Sequence, residues 1–184
     1  MEKWDIMDKN GNITGRTVTR GNVVLRQGDY HLVVHIWVLS ADGNFLIQRR
    51  AATKRLMPDE WAATGGAAIA GEDSYTAAAR ELYEELSITS NRNSLRFMGR
   101  IKRRNSFIDI WVIKAKVTVG SLSLQPEEVA AVKWVSKKEL IYMIKQKRFH
   151  NYGNEDFDTV FNACEQYLKE EREFKDKENA NHQR

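Results

Sequence analysis

The chain is poor in the residues that mark secreted and membrane-bound proteins. Among its 184 residues there is one cysteine, Cys164, and there are two prolines. A single cysteine excludes a framework of intramolecular disulfides. The opening MEKWDIMDKN lacks the apolar leader of a secretory signal, and no apolar run approaches the roughly 20 residues that a membrane-spanning helix needs. We therefore expect a cytoplasmic, disulfide-free protein with no membrane partner.

The chain also has little excess of one charge. It carries 29 Lys and Arg against 25 Asp and Glu, a formal net charge of +4. This modest surplus gives no support for a nucleic-acid polymer as partner and suits a small anionic molecule equally well. The length predicts a single domain spanning 1–184. Nothing in the composition decides between a monomer and a homo-oligomer. Within it we expect an N-terminal extension with short strands at 1–28 and a polar, frayed tail at 172–184.

The apolar pattern predicts an α/β fold. Residues 31–39 are apolar on both alternating faces, as in a strand that is covered on both sides of a sheet. A turn at 41–44 followed by apolar residues 45–48 predicts a β-hairpin. Further strands are predicted at 95–102, 107–116 and 129–135, and further helices at 139–147 and 156–171.

The stretch 66–88 contains a predicted helix, capped by Asp73 or Ser74, that carries three glutamates on one side. At about 100° per residue, Glu81, Glu84 and Glu85 fall within roughly a quarter turn of one another, opposite an apolar stripe. Like charges so close repel, so the cluster is disfavoured unless a cation is expected there. Hard carboxylate oxygens select Mg²⁺ or Mn²⁺. The simpler interpretation is a solvated, Glu-rich surface helix.

The spacing around this helix resembles the signature of the Nudix hydrolases. That signature is a glycine, a glutamate six residues later, and an Arg-Glu-apolar-x-Glu-Glu-x-Gly-apolar run eight residues after that. The fixed letters found here are Gly66, Glu72, Arg80, Glu81, Glu84 and Glu85, with Leu82 and Ile88 at the apolar positions. Ser87 departs from the pattern, since the family has glycine at this helix exit.

The resemblance implies a Nudix-type α/β/α sandwich with a mixed central β-sheet. It also implies a Mg²⁺- or Mn²⁺-dependent hydrolase that cleaves a diphosphate linkage in a nucleoside diphosphate derivative or a related organic diphosphate. By the same resemblance, Glu81, Glu84 and Glu85 bind the metal. Gly66, Glu72 and Arg80 support the loop and helix. Glu81 and Glu84 are also catalytic.

The general base is expected from Glu127 and Glu128, in the turn before the strand at 129–135, where many family members carry an acidic residue; Glu128 is the preferred candidate, and two solvated turn acids are the alternative. Asp109 is a third candidate for base or ligand, and a hydrogen-bonded structural aspartate is its alternative.

A second resemblance, over about residues 8 to 134, is to the type I isopentenyl diphosphate isomerases, which share the Nudix fold. The matching residues are Tyr30-His31, Gln48-Arg49-Arg50-Ala51, Lys54, Arg55, Pro58, Trp61, Glu127-Glu128-Val129 and Trp134. In those isomerases the positions of Arg20, Arg50 and Lys54 hold the diphosphate; the alternative is that they are solvated charges. The isomerase cysteine is replaced by Gly65 and a metal-binding histidine by Ala67, so isomerase activity is the less expected one.

Two questions stay open at this level. Nucleoside diphosphate derivatives and isoprenoid diphosphates both fit as substrates, and Trp37, Trp111 and Phe107 could stack on a nucleobase or pack in the core. A non-catalytic Nudix module that binds a nucleotide is the alternative function, motivated by Ser87 and by the long charged C-terminal helix.

Overall fold

A computed structural model describes residues 1–21 and 24–182; at 154, 155 and 175–182 only the backbone is described. Residues 22, 23, 183 and 184, which belong to the predicted extension and tail, lie outside the described residues. The strands, in chain order, are β1 (Lys3–Met7), β2 (Ile13–Thr19), β3 (His31–Leu39), β4 (Phe45–Arg50), β5 (Trp61–Ala62), β6 (Thr64–Ala67), β7 (Leu95–Lys102), β8 (Ser106–Lys114) and β9 (Val129–Val135). The helices are α1 (Ser74–Leu86), α2 (Lys137–Lys145) and α3 (Asn154–His182), with a short 3₁₀ turn at Val119–Ser121.

The main sheet is mixed, and β3 is its centre. One edge of β3 pairs with β8 in parallel along its whole length. The other edge pairs antiparallel with β4 near the end of β3 and with β6 near its start. Strand β4 also pairs antiparallel with β5 and β9, and β7 pairs antiparallel with β8. The predicted hairpin of β3 and β4 and the predicted mixed sheet are both confirmed.

Helices cover both faces of this sheet, which makes the domain a three-layer α/β/α sandwich. Alternate residues of β3, among them Val34 and Ile36, pack with Leu82 of α1 in one core. Trp37 and Leu39 of the same strand pack in the second core, which α2 and α3 close. A strand with apolar residues on both faces has to be buried on both faces. The continuous apolar run at 31–39 is explained in this way, and the predicted fold class is confirmed.

The N-terminal extension forms a separate antiparallel hairpin of β1 and β2, as predicted for this region. The backbones of Met7 and Tyr30 exchange hydrogen bonds of 2.8 and 3.0 Å, which join the hairpin to the start of β3. The loop between β1 and β2 is a tight turn in which Asp8 accepts hydrogen bonds from the backbone N–H groups of Asn10 and Asn12. The hairpin is therefore fastened to the domain.

Some element boundaries differ from the sequence-based ones. Helix α2 begins at Lys137, two residues early, because the Ser136 hydroxyl accepts a hydrogen bond from Glu139 N–H and caps the helix. Helix α3 continues to His182, through most of the segment predicted to fray. The short strands β5 and β6 were not predicted. In the described part of the chain no helix is both long and apolar enough to cross a membrane.

Candidate active site

The predicted site residues meet at one cleft of about 520 Å³. The acidic face of α1, the strand β6, the loop after β4 and the N-terminal hairpin form its walls. The predicted residues that line it are Arg20, Arg50, Lys54, Gly66, Arg80, Glu81, Glu84, Glu85 and Glu128. Glu72 lies behind this surface and is bonded to Arg80. The structure thus brings together side chains that are up to about 110 residues apart in sequence.

Helix α1 presents its carboxylates to the cleft because its opposite face is buried. Asp73 caps the helix by accepting a hydrogen bond of 2.7 Å from Thr76 N–H. Ala78 and Leu82 are completely buried against the sheet, which fixes the rotation of the helix about its axis. Glu81 and Glu85, four residues apart, therefore point to the side where the cleft lies.

The C-terminal end of α1, at Ser87, has the left-handed geometry that a glycine at this position of the signature would favour. Ser87 adopts the left-handed conformation, with φ 54° and ψ 30°, and its N–H donates to Tyr83 O at 2.7 Å. The Ser87 hydroxyl donates to Ser123 O at 3.0 Å, which offsets most of the cost of a side chain in this conformation. The departure from the family pattern therefore leaves the geometry of the helix exit intact.

Glu85 is a buried carboxylate at the floor of the cleft, with 2% of its surface exposed. Its Oε2 accepts hydrogen bonds from Gln48 Nε2 at 3.0 Å and from Gly65 N–H at 3.1 Å. Burial raises the pKa of Glu85 to about 8, and the nearby Glu81 adds to the rise despite these two bonds. A cation bound beside this carboxylate would offset the cost of its charge.

Arg80 connects three carboxylates of the site. Its Nε and Nη2 donate to both oxygens of Glu72 at 2.7 and 2.9 Å. Its Nη1 donates to Glu81 at 2.9 Å and to Glu84 at 3.1 Å. Burial pushes the pKa of Glu72 upward, but hydrogen bonds from Arg80 and from Ile69 N–H lower it overall. The pKa of Glu81 is raised, mainly by burial, even with Arg80 in contact. Arg80 therefore holds Glu72 ionised and orients Glu81.

Two adjacent glycines of β6, Gly65 and Gly66, let the backbone of this strand approach its neighbours closely. A Cβ on Gly65 would lie 2.1 Å from Val34 O, and a Cβ on Gly66 would lie 2.2 Å from Glu81 Oε1. Neither contact is possible without moving the backbone or the carboxylate. Because Gly66 has no side chain, the Glu81 carboxylate packs directly against the backbone of β6.

The cations of the cleft come from the end of β4, from the loop that follows it and from the N-terminal hairpin. Arg50 is 9% exposed and its Nε donates to Leu56 O at 3.2 Å. Lys54 Nζ contacts Glu128 at 2.5 Å, so one predicted phosphate-binding residue is paired with the predicted general base. Arg20 pairs with Glu2 at the open end of the hairpin. Solvated charges, the alternative interpretation, fit Arg20 better than Arg50, because Arg50 is buried.

The donor set fits a hard divalent cation, although the site is not arranged as a finished metal centre. Within residues 1–21 and 24–182, no three His, Cys, Asp or Glu side chains form a group that could already hold a metal ion. Glu81 and Glu84 instead share Arg80 as a hydrogen-bond donor. Two observations support the fit. The negative charge of buried Glu85 is only partly offset by its two hydrogen bonds, and the Glu81 carboxylate fills the space left by the missing side chain of Gly66.

Several sequence-level candidates lie elsewhere. Asp109 is buried, and its two carboxylate oxygens accept hydrogen bonds from Arg100 Nε and Nη2 at 2.5 and 2.9 Å. This pairing gives Asp109 a structural role. Glu127, unlike Glu128, is not part of the cleft lining among the described residues. The three aromatic residues considered for base stacking are all core residues: Trp37, Trp111 and Phe107.

The structure also reveals residues to which sequence reasoning gave no role in the site. Gln48 is completely buried beneath Glu85, and a polar residue inside the apolar strand FLIQRR was the available signal. Tyr152 reaches the cleft from the segment between α2 and α3, and its hydroxyl accepts a hydrogen bond of 3.2 Å from Ala63 N–H. Trp4 lines the cleft from the hairpin, and no local pattern marked either aromatic residue.

Comparison with known proteins agrees with this geometry. Residues 29–156 match the model of the NUDIX domain. A Nudix hydrolase of Listeria monocytogenes is 38% identical over 141 residues, 76% of this chain and 83% of that protein. An isopentenyl-diphosphate Delta-isomerase of Streptomyces coelicolor is 27% identical over 177 residues, 90% of this chain and 85% of that protein.

A solved structure shares the fold. The crystal structure of DR0079 from Deinococcus radiodurans superposes with a TM-score of 0.69 at 22% identity, covering 80% of this chain and 91% of that one. The residues that match the family model include Arg50 and Lys54 of the cleft and the whole of α1. The chain therefore belongs to the Nudix hydrolase family.

Proposed function

We propose that this protein is a Mg²⁺- or Mn²⁺-dependent hydrolase that cleaves the diphosphate linkage of a nucleoside diphosphate derivative or a related organic diphosphate. The observation that carries the proposal is the meeting of opposite charges in one cleft. Glu81 and Glu85 of α1 stand on one side, and Arg50, from the end of β4, and Lys54, from the loop that follows, belong to the same lining. A diphosphate with a bound divalent ion matches such a pair of surfaces.

The acidic side would hold the metal through Glu81, Glu84 and Glu85. Members of the family generally use divalent metals. A divalent ion bound there would polarise the phosphoryl group and offset the charge that develops on the leaving phosphate. Arg80 and Glu72 would keep Glu81 in position, since they bind the backbone at the end of β6 and just after it: Arg80 donates to Ala67 O, and Glu72 accepts from Ile69 N–H.

The basic side would hold the phosphates through Arg50 and Lys54. The planar Arg50 guanidinium can bind two phosphate oxygens at once, and Lys54 supplies a point charge. Lys54 contacts Glu128 at 2.5 Å in the absence of substrate. A diphosphate offers Lys54 more negative charge than one carboxylate does, so substrate binding would free Glu128 to accept the proton of the attacking water.

The backbone at Gly65 argues against isomerase activity. The isomerases that the sequence resembles need a cysteine at this position, and any Cβ here would lie 2.1 Å from the Val34 carbonyl oxygen. The required side chain cannot enter without a shift of β3 or β6. The same site retains all the carboxylates of the hydrolase signature.

The test is turnover of a panel of diphosphates by the full chain. Nucleoside diphosphates linked to sugars, nucleosides or phosphate, together with isopentenyl and geranyl diphosphates, are incubated with Mg²⁺, with Mn²⁺ and with chelator. We expect release of phosphate or a nucleotide from at least one compound, and we expect chelator to abolish it. Tight binding of a nucleotide with no turnover of any compound would overturn the proposal in favour of a non-catalytic module.

A further inference from the structure

The wall of the cleft formed by the N-terminal hairpin is not used in the metal and phosphate binding proposed above, which assigns the phosphates to Arg50 and Lys54. Arg20, expected from the isomerase resemblance to hold the diphosphate, pairs with Glu2 on this wall. The wall presents Glu2, Trp4 and Arg20, with His31 beside them at the start of β3. This wall is held rigidly. Besides the Met7 pairing with β3, the backbone of β1 accepts a 2.8 Å hydrogen bond from Ala70 N–H, and Asp5 accepts one of 2.7 Å from Gly71 N–H. Its surface is therefore formed before any ligand arrives.

Two aromatic rings on this wall, those of Trp4 and His31, stack on each other. The indole of Trp4 and the imidazole of His31 stack with centroids 4.2 Å apart and planes 13° from parallel. Trp4 Nε1 and His31 Nδ1 are both buried and find no hydrogen-bond partner in the part of the chain that the structure describes. Hydrogen bonding within the protein therefore does not explain why these two side chains are placed here. Their ring faces are what the arrangement provides.

The charge state of the pair also separates it from the phosphate-binding side. Burial, assisted by the positive charge of Arg20, lowers the pKa of His31 to about 4, so the imidazole is neutral near pH 7. In this stack each ring covers one face of the other, so the outer faces are left for a ligand, and a neutral stack of this kind is an aromatic surface and not an anion site. Glu2 and Arg20 next to it offer hydrogen-bond acceptors and donors.

We propose that Trp4 and His31 form the subsite for the organic group of the substrate, and that this group is a heteroaromatic ring such as a nucleobase. The inference rests on the proposed diphosphate hydrolase function and narrows its substrate class. A nucleobase has a π-face for the rings and polar edges for the flanking Glu2 and Arg20. An isoprenoid chain needs a continuous apolar groove, and charged side chains flank the rings on this wall.

The experiment measures binding with ligands that cannot be cleaved between their phosphorus atoms. The dissociation constants of α,β-methylene-ADP, α,β-methylene-CDP and isopentenyl methylenediphosphonate are determined by calorimetry with Mg²⁺ for the wild type and for Trp4→Leu. We expect Trp4→Leu to weaken binding of at least one nucleoside analogue by about 5- to 150-fold, the range found for loss of base stacking. Binding of the isopentenyl analogue should change by less than about twofold.

Control variants separate this role from a general loss of structure. Tyr142→Leu removes an exposed aromatic side chain on α2, away from the cleft, and should leave the dissociation constants of all three ligands unchanged. Trp4→Phe keeps an aromatic face and should retain most of the preference for the nucleoside analogues. If Trp4→Leu does not fold, His31→Leu tests the same surface from β3 and should show the same selective loss.

An equal loss for both ligand classes in these variants, or no loss for either, would overturn the subsite assignment. A wild type that binds the isopentenyl analogue as well as the nucleoside analogues would do the same. These results leave the hydrolase proposal standing, because that proposal is judged by turnover. Conversely, a selective effect of Trp4→Leu on a protein without turnover would retain the subsite and remove the hydrolase.

Discussion

At the scale of single residues, Glu85 is a carboxylate that the fold keeps out of water. Its pKa is raised to about 8 by burial and by Glu81. A raised carboxyl pKa means that the stability contributed by this group is fully present below pH 4.5 and is lost as the pH rises through about 8. Without metal, Glu85 therefore lowers the free energy of unfolding progressively above pH 4.5: up to about pH 8 because the folded protein keeps it protonated while the unfolded chain ionises, and above that because the buried group is charged.

We expect Glu85→Gln to raise stability in the absence of metal. The glutamine oxygen can still accept from Gln48 and from Gly65 N–H, while the buried charge is gone. In EDTA the variant should gain about 1–3 kcal/mol in the free energy of unfolding at pH 8.5 and little at pH 5. Urea unfolding at both pH values measures this gain.

The same variant should lose the response to metal. Mg²⁺ should raise the melting temperature of the wild type and leave that of Glu85→Gln nearly unchanged, with turnover reduced by orders of magnitude. Glu173→Gln, an exposed glutamate of α3, is the matched control and should behave as the wild type. Wild-type turnover of Glu85→Gln at saturating Mg²⁺ would contradict the assignment of this residue to the metal.

Arg50 allows a residue-scale test of phosphate binding. We expect Arg50→Ala to weaken substrate binding by about 1.5–3 kcal/mol, the range for a lost charge-assisted hydrogen bond. Arg50→Lys should recover only part of this loss because the planar fork is missing. Kinetic constants for diphosphates with different organic groups give the measurement. A uniform loss across them is expected; unchanged constants would place the phosphates elsewhere.

At the scale of elements, α1 carries the acidic cluster and ends in a left-handed serine. Two contributions act at Ser87: a side chain in this conformation costs about 1 kcal/mol, and the hydrogen bond of its hydroxyl to Ser123 O recovers a similar amount. Because they nearly cancel, Ser87→Gly should change the free energy of unfolding by less than about 0.5 kcal/mol.

Ser87→Ala keeps the strain and loses the hydrogen bond, so we expect it to destabilise the protein by about 1 kcal/mol. Thermal and urea unfolding of the two variants together test the account. Equal effects of alanine and glycine would show that the left-handed conformation carries no cost here. Ser123→Ala, which removes an exposed serine hydroxyl and keeps the backbone carbonyl that Ser87 binds, provides the control for loss of a surface hydroxyl.

At the scale of the whole molecule, the two histidines of β3, His31 and His35, make the free energy of unfolding depend on pH because the packed layers bury them. Burial lowers the pKa of His31 and of His35 to about 4, and the charges of His150 and Arg103 contribute to the effect on His35. His35 packs against the ring of Tyr152. Because the folded protein favours the neutral rings, the stability they contribute is present above pH 6.5 and is lost as the pH falls through about 4.

We therefore expect the free energy of unfolding to fall by about 1–3 kcal/mol between pH 6.5 and 4. The measurement belongs in the Glu85→Gln background, because Glu85 changes stability in the opposite direction over part of this range. Adding His35→Asn should lower stability at pH 7.5 and flatten the decline below pH 6.5. An equally steep decline would assign the acid sensitivity to other groups.

The sequence by itself determined the longer strands of the sheet, the helices and the acidic face of α1. A strand that is apolar on both faces had to be buried in a sheet, so residues 31–39 were placed correctly as β3. The glutamates of α1 share one face because helical periodicity requires it, whatever surrounds the helix. Both properties are local, since they depend only on residue type and spacing along the chain.

The tertiary structure alone decided which distant residues meet. Gln48 lies beneath Glu85 because β4 and α1 are brought together across 37 residues, and no short pattern encodes that contact. The glycine at position 65 is required by the proximity of the β3 backbone, and Trp4 reaches the cleft because the hairpin pairs with Tyr30. Burial, which sets the pKa of Glu85 and of His31, likewise exists only once all three layers have packed.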